Sequence, residues 1–78
     1  MTLYEFNALN VNDQAETIWE FVFIAEREDI DHRILLYPID NFYVEVYYDK
    51  DFNVLRKFKS FDSTDELEPY LDKIDIPF

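Results

Sequence analysis

The stretch "RILLYPIDNFYVEVYYD", residues 33–49, decides the fold. Residues 33–38 and 42–49 are runs of β-branched and aromatic side chains, and the polar pair Asp40 and Asn41 sits in the connection between them. That pattern reads as two antiparallel strands joined by a tight turn. Setting Leu36 opposite Val44, Ile34 opposite Val46 and Tyr37 opposite Tyr43 keeps like side chains together across the pair. A further run, 54–60, follows "DKDFN", and pairing it so that Glu45 faces Lys57 and Val44 faces Phe58 extends the sheet. Residues 21–27, "FVFIAER", make a fourth strand. Short connections between consecutive strands favour an antiparallel meander.

With this pairing one face collects Ile34, Leu36, Phe42, Val44, Val46, Tyr48, Val54 and Phe58, which are expected to pack against helices. Arg56 interrupts that face. The opposite face collects Leu35, Tyr37, Tyr43, Glu45, Tyr47, Leu55, Lys57 and Lys59. Its tyrosines and leucines, beside the one local excess of lysine, make it the expected contact surface, since tyrosine supplies large area at little entropic cost. Tyr37, Tyr43, Tyr47, Glu45 and Leu55 are the residues expected to meet a partner.

Helices are expected at both ends of the chain. Thr2 and Glu5 have capping-box spacing, and Leu3, Phe6 and Leu9 recur on one helical face. Asn10 or Asn12 caps a second helix with Ala15, Ile18, Trp19 and Val22 at helical spacing, ending near Trp19 or Glu20, where strand-forming residues begin. Trp19 is expected inward with Val44. Ser63 and Glu66 mark a third helix, with Leu67, Tyr70, Leu71 and Ile74 as its apolar stripe and Pro69 inside its first two turns. The expected architecture is an α+β single domain over residues 1–78. It has N-terminal helices, a four-stranded antiparallel meander, and a C-terminal helix on one face of the sheet.

At 78 residues the chain supports one modest core, and with 49% apolar and 19% aromatic residues it is too hydrophobic to remain disordered. It contains no cysteine and no glycine. The first omission removes disulfides, thiolate metal sites and thiol nucleophiles. The second removes phosphate-cradling loops, which need glycine for close backbone approach or positive φ. "MTLYEFNALN" has neither a basic start nor an apolar run, and no segment approaches the roughly 20 apolar residues that cross a bilayer. A cytoplasmic protein without a membrane anchor is the expectation.

Asp49, Asp51 and Asn53 share the spacing of the first three ligands in a calcium loop. That loop needs glycine at its sixth position and glutamate at its twelfth, and this chain has Val54 and Ser60 there. The segment therefore reads as a turn in which Asp and Asn bond nearby backbone and Asn53 tolerates a left-handed conformation. "EREDIDHR" gathers Glu26, Glu28, Asp29, Asp31 and the one histidine, His32, but no second imidazole or thiolate completes a transition-metal site. It reads as a solvated acidic loop. Thr2 and Ser63 are used as caps, and no histidine and acid accompany the other hydroxyls in a nucleophile's arrangement. No metal, cofactor or enzymatic activity is expected.

Charge shapes the remaining expectation. Eighteen acids against seven bases give a net charge of −11, and the bases lie mostly in residues 32–61, leaving both flanks acidic. Such a surface repels nucleic acid and anionic membranes. The reading that follows is a small acidic, non-enzymatic interaction module, of the kind found in inhibitors and immunity proteins, meeting a basic protein partner. The alternative is a structural subunit that forms a homodimer through the tyrosine face.

Overall fold

The computed structural model describes residues 1–70. In chain order it contains α1 (Leu3–Ala8), α2 (Val11–Ile18), β1 (Ala25–Glu28), β2 (His32–Ile39), β3 (Phe42–Asp49), β4 (Leu55–Phe61) and a 3-10 helix, Thr64–Tyr70. The strands form one antiparallel sheet in the order β1-β2-β3-β4, the topology expected from the short connections.

The register of β2 on β3 differs from the expected one. Ile39 pairs with Phe42, so Asp40 and Asn41 alone make the loop, and Leu36 faces Glu45 while Tyr37 faces Val44. The expected pairing would have drawn Ile39 into the turn as well. Two-residue loops match the twist of paired strands but require positive φ, which glycine usually supplies. Asp40 takes that conformation here, at φ 51°, and aspartate is among the few residues that tolerate it. A slip of one residue turns every side chain of β2 to the other face. Leu35, Tyr37 and Ile39 therefore join Phe42, Val44 and Val46 on the side of the sheet that packs against Phe6 of α1 and Ile18 of α2. Ile34 and Leu36, expected on that side, lie opposite it, where Leu36 clusters with Ala25, Phe61, Leu67 and Tyr70.

The β3–β4 pairing is displaced from expectation by two residues, which keeps the faces but changes the partners. Glu45 meets Lys59, Tyr47 meets Lys57 and Val46 meets Phe58. An irregularity follows at Tyr47/Tyr48: Tyr48 pairs with Leu55, so Arg56 is the extra residue of a bulge. The bulge carries Leu55 to the helix-packed side, where it lies against the cluster of Val44 and Val46. Val54, expected inside, is exposed.

β1 is shorter than its apolar sequence implies, and Pro38 explains the difference. In the register that pairs Ala25 with Leu36, Phe23 would fall opposite Pro38, which has no amide to donate. Before β1 begins, the Ile24 amide bonds the Leu36 carbonyl of β2 at 2.9 Å. The same geometry lets Pro38 sit inside β2, since that part of the strand has β3 as its strand neighbour and no pairing to β1.

The helix starts follow the sequence closely. Thr2 and Glu5 exchange the two bonds of a capping box, and Asn10 accepts from the Asp13 amide to start α2. Phe6 is fully buried, with its ring 5.8 Å from Phe42 and 6.3 Å from Phe58. α2 ends at Ile18, as the strand-forming residues after it suggested, but Trp19 is 68% exposed and not part of the core. Ile18 and Ala15 carry the buried stripe, and Trp19, one residue farther round, falls off it. The third helix is a 3-10 helix over the described residues. Ser63 Oγ accepts from Asp65 and not from Glu66, so the expected capping box is not formed. Pro69 cannot donate an α-helical bond, and the tighter short helix accommodates it. Leu71 and Ile74 lie outside the described residues. No helix among those described is long and apolar enough to cross a membrane.

Two substitutions separate these assignments. Phe6→Ala removes a wholly buried ring and is expected to cost about 3–5 kcal/mol, whereas Trp19→Ala is expected to cost less than about 1 kcal/mol. Urea unfolding of both variants checks this, and equal losses would put Trp19 back in the core.

Candidate functional site

The five residues expected to meet a partner do not share one open surface. Tyr43, Glu45 and Tyr47 alternate along β3 and face the same side, but Glu45 and Tyr47 are buried and Tyr43 is half-buried, stacked on Phe61 with ring centroids 5.6 Å apart. Tyr37 and Leu55 lie on the helix-packed side, turned there by the β2 register and the β4 bulge.

Glu45 is 2% exposed and forms the centre of a polar knot. The Tyr70 hydroxyl donates to its Oε2 at 2.6 Å, and Arg27 donates to the same oxygen through Nη2 at 3.0 Å and Nε at 3.3 Å. The Tyr47 hydroxyl donates to Oε1 at 3.3 Å. Arg27 also donates from Nε to the Tyr70 hydroxyl at 3.2 Å and stands 5.6 Å from the centre of its ring. Three segments distant in sequence, β1, β3 and the 3-10 helix, are thereby tied at one carboxylate. Burial, and then the hydrogen bond to Glu45, push the Tyr70 phenol well above the ordinary tyrosine range. Burial raises Tyr47 as well.

Beside this knot lies an open cleft of about 430 Å³ lined by Arg27, Glu45, Lys59, Asp65, Glu66, Glu68 and Pro69. Its cations are engaged, Arg27 with Glu45 and Lys59 with Glu66 at 3.1 Å. Every buried side-chain polar atom among the described residues has a hydrogen-bond partner. Asp65 and Glu68, which also line the cleft, form no salt bridge among the described residues.

The two acidic motifs organise turns. In "DKDFN", Asp49 Oδ1 accepts from the amides of Asp51 and Phe52 at 2.9 and 3.1 Å, and Asn53 has φ 52°. The Arg56 bond and then the Phe52 amide hold the Asp49 carboxyl below its ordinary range. In "EREDIDHR", Asp29 Oδ1 accepts from the amides of Asp31 and His32 at 2.9 and 2.7 Å. Among the described residues no group of three or more metal-ligating side chains converges.

Large apolar side chains open to solvent include Tyr4 and Val11 on the helices and a group at the periphery of the sheet. Trp19 and Val22 are 68% and 79% exposed in the segment before β1, with Phe23 and Ile24 partly exposed beside them. Ile30 and Phe52 project from the β1–β2 and β3–β4 connections. Those connections adjoin, since the Lys50 amide bonds the Asp31 carbonyl at 3.1 Å. Sequence reasoning placed Trp19 in the helix core, Val22, Phe23 and Ile24 in a strand, and Ile30 and Phe52 in turns; the signal that could have exposed the strand residues was Pro38, which falls opposite Phe23 in the β1–β2 register and ends the pairing.

In comparisons with protein-family models, curated proteins and solved structures, nothing matches this chain.

The knot yields a pH test. The fold holds Tyr70 neutral, so its contribution is complete below the ordinary tyrosine value near pH 10 and is lost as pH rises through the higher folded value. Tyr70→Phe removes a donor to a buried carboxylate and is expected to cost about 1–3 kcal/mol at neutral pH. It is also expected to lose less further stability than the parent between about pH 8 and pH 11. Urea midpoints at the two pH values measure this, and identical alkaline losses in both proteins would detach Tyr70 from Glu45.

Proposed function

We propose that this chain is a small acidic interaction module, without enzymatic activity, that binds a basic protein partner in the manner of an inhibitor or immunity protein. The observation that carries the reading is the placement of large apolar side chains, Trp19, Val22, Ile30 and Phe52, on the surface of a chain with net charge −11. Exposed apolar groups within a carboxylate-rich surface suit a partner that supplies both apolar contact and positive charge. The same charge disfavours nucleic acid and anionic membranes. The lack of cysteine supports a reducing, cytoplasmic setting.

Self-association through the tyrosine-bearing face has less to support it. Glu45 and Tyr47 are buried on that face, and Tyr37 and Leu55 belong to the other.

Immobilised protein challenged with extract of its source cell is expected to retain a basic protein at low salt and release it near about 1 M salt, where the screening length falls to roughly 3 Å. The mass of the protein alone, by light scattering, is expected to be monomeric. A salt-indifferent dimer that retains no basic protein would favour the structural-subunit reading.

A further inference from the structure

We propose that Trp19 to Ile24, together with the outer edge of β1, docks an extended segment of a partner protein in which lysine or arginine alternates with aliphatic or aromatic residues. This rests on the interaction-module reading and says where that partner sits.

Four large apolar side chains, Trp19, Val22, Phe23 and Ile24, lie exposed within six consecutive residues. The backbone that carries them is pinned at both ends. The Phe21 amide bonds the Ile18 carbonyl at 2.9 Å, and the Phe21 side chain packs against the helix-side cluster. The Ile24 amide bonds Leu36, and the Phe23 ring stands edge-on to Tyr37 at 6.0 Å. A surface held in place loses little entropy when a partner settles on it.

Charge selects the occupant. Residues 1–26 contain Glu5, Asp13, Glu16, Glu20 and Glu26 and no lysine or arginine. Glu16 and Glu20 flank Trp19 in sequence, and Glu26 and Glu28 follow Ile24 along β1. Arg27 is bound to Glu45, and Glu26 and Glu28 are themselves ion-paired, with Arg33 at 2.7 Å and Lys50 at 3.2 Å, so among the described residues Glu16 and Glu20 beside Trp19 are the carboxylates here without a salt bridge. The surroundings therefore favour cationic partners and oppose a second copy of this acidic chain. The edge selects the conformation. β1 is the terminal strand of the sheet and has no strand on its outer side among the described residues, so an extended segment can add there while its alternate side chains meet Val22 and Ile24.

Trp19 is the one tryptophan of the chain and reports occupancy directly. The full-length protein is titrated with a short synthetic peptide of alternating lysine and valine, and with its glutamate counterpart. Saturable binding of the lysine peptide is expected to shift Trp19 emission to shorter wavelength and to weaken with salt, while the glutamate peptide does nothing. Val22→Ser, at a side chain 79% exposed, is expected to weaken binding by about fivefold or more. Val54→Ser, at an exposed side chain just before β4, the opposite edge strand of the sheet, is expected to leave it unchanged. Binding of the lysine peptide with no change in Trp19 emission and no effect of Val22→Ser would overturn this surface and leave the basic-partner reading intact. Failure to bind the lysine peptide would overturn this surface, and failure to retain any basic protein in the extract experiment as well would overturn both. Short-wavelength emission in the protein alone would also overturn the proposal. With a monomeric mass it would point to residues 71–78 as the occupant, and with a dimeric mass to a second copy.

Discussion

The carboxylate of Glu45 is the group on which the arrangement of this protein depends. Removing a carboxylate from water is costly, and only well-placed cationic and hydroxyl donors offset the loss. Here the donors come from separate parts of the chain: Arg27 from β1, Tyr47 from β3 itself and Tyr70 from the 3-10 helix. The bonds form only when β1 and β3 flank β2 in the observed registers and Tyr70 reaches the face that Glu45 occupies. One buried acid thus joins strand pairing to helix placement. It also assigns the sides of the sheet, since the face opposite to Glu45 is the one α1 and α2 cover.

Burial of Glu45 and Tyr47 on one face, and of Tyr37 on the other, is why the proposed contact surface falls at the margins of the sheet. The tyrosines of β3 and β2 contribute to packing: Tyr37 and Tyr47 are buried, and Tyr43 stacks on Phe61. Apolar surface is exposed before β1, at the tips of two connections, and singly at Tyr4 and Val11 on the helices. Carboxylates neighbour these places in sequence, Glu16 and Glu20 at Trp19, Asp29 and Asp31 at Ile30, and Asp51 at Phe52.

Much of this was legible in the residues. Caps at Thr2 and Asn10 act locally, through side chains bonding amides three residues on, and so can be read without knowing the fold. Strand positions in β2, β3 and β4 followed from β-branched and aromatic runs, and the turn roles of Asp49 and Asn53 from the absence of glycine. Register was not legible, because alternation in "ILLY" supports either neighbouring pairing and the deciding factor was Asp40 accepting positive φ. Leu55 was misplaced because a bulge at Arg56 leaves no mark in the hydrophobic pattern. Trp19 is the C-cap of α2, about 100° round the helix from the buried Ile18, and the expected stripe of Ala15, Ile18, Trp19 and Val22 is wide enough to include it. The expected contact site was drawn from these assignments, and so its five residues separated onto two faces.

The most direct test of this account is the unfolding free energy of Arg27→Met. If Glu45 is buried as described, this substitution strands its charge beneath the 3-10 helix and is expected to cost about 3–5 kcal/mol, with much of the loss recovered when Glu45→Leu is added. If Arg27→Met changes stability by no more than about 0.5 kcal/mol, as an exposed ion pair would, then Glu45 faces water and the tyrosine-bearing face is open.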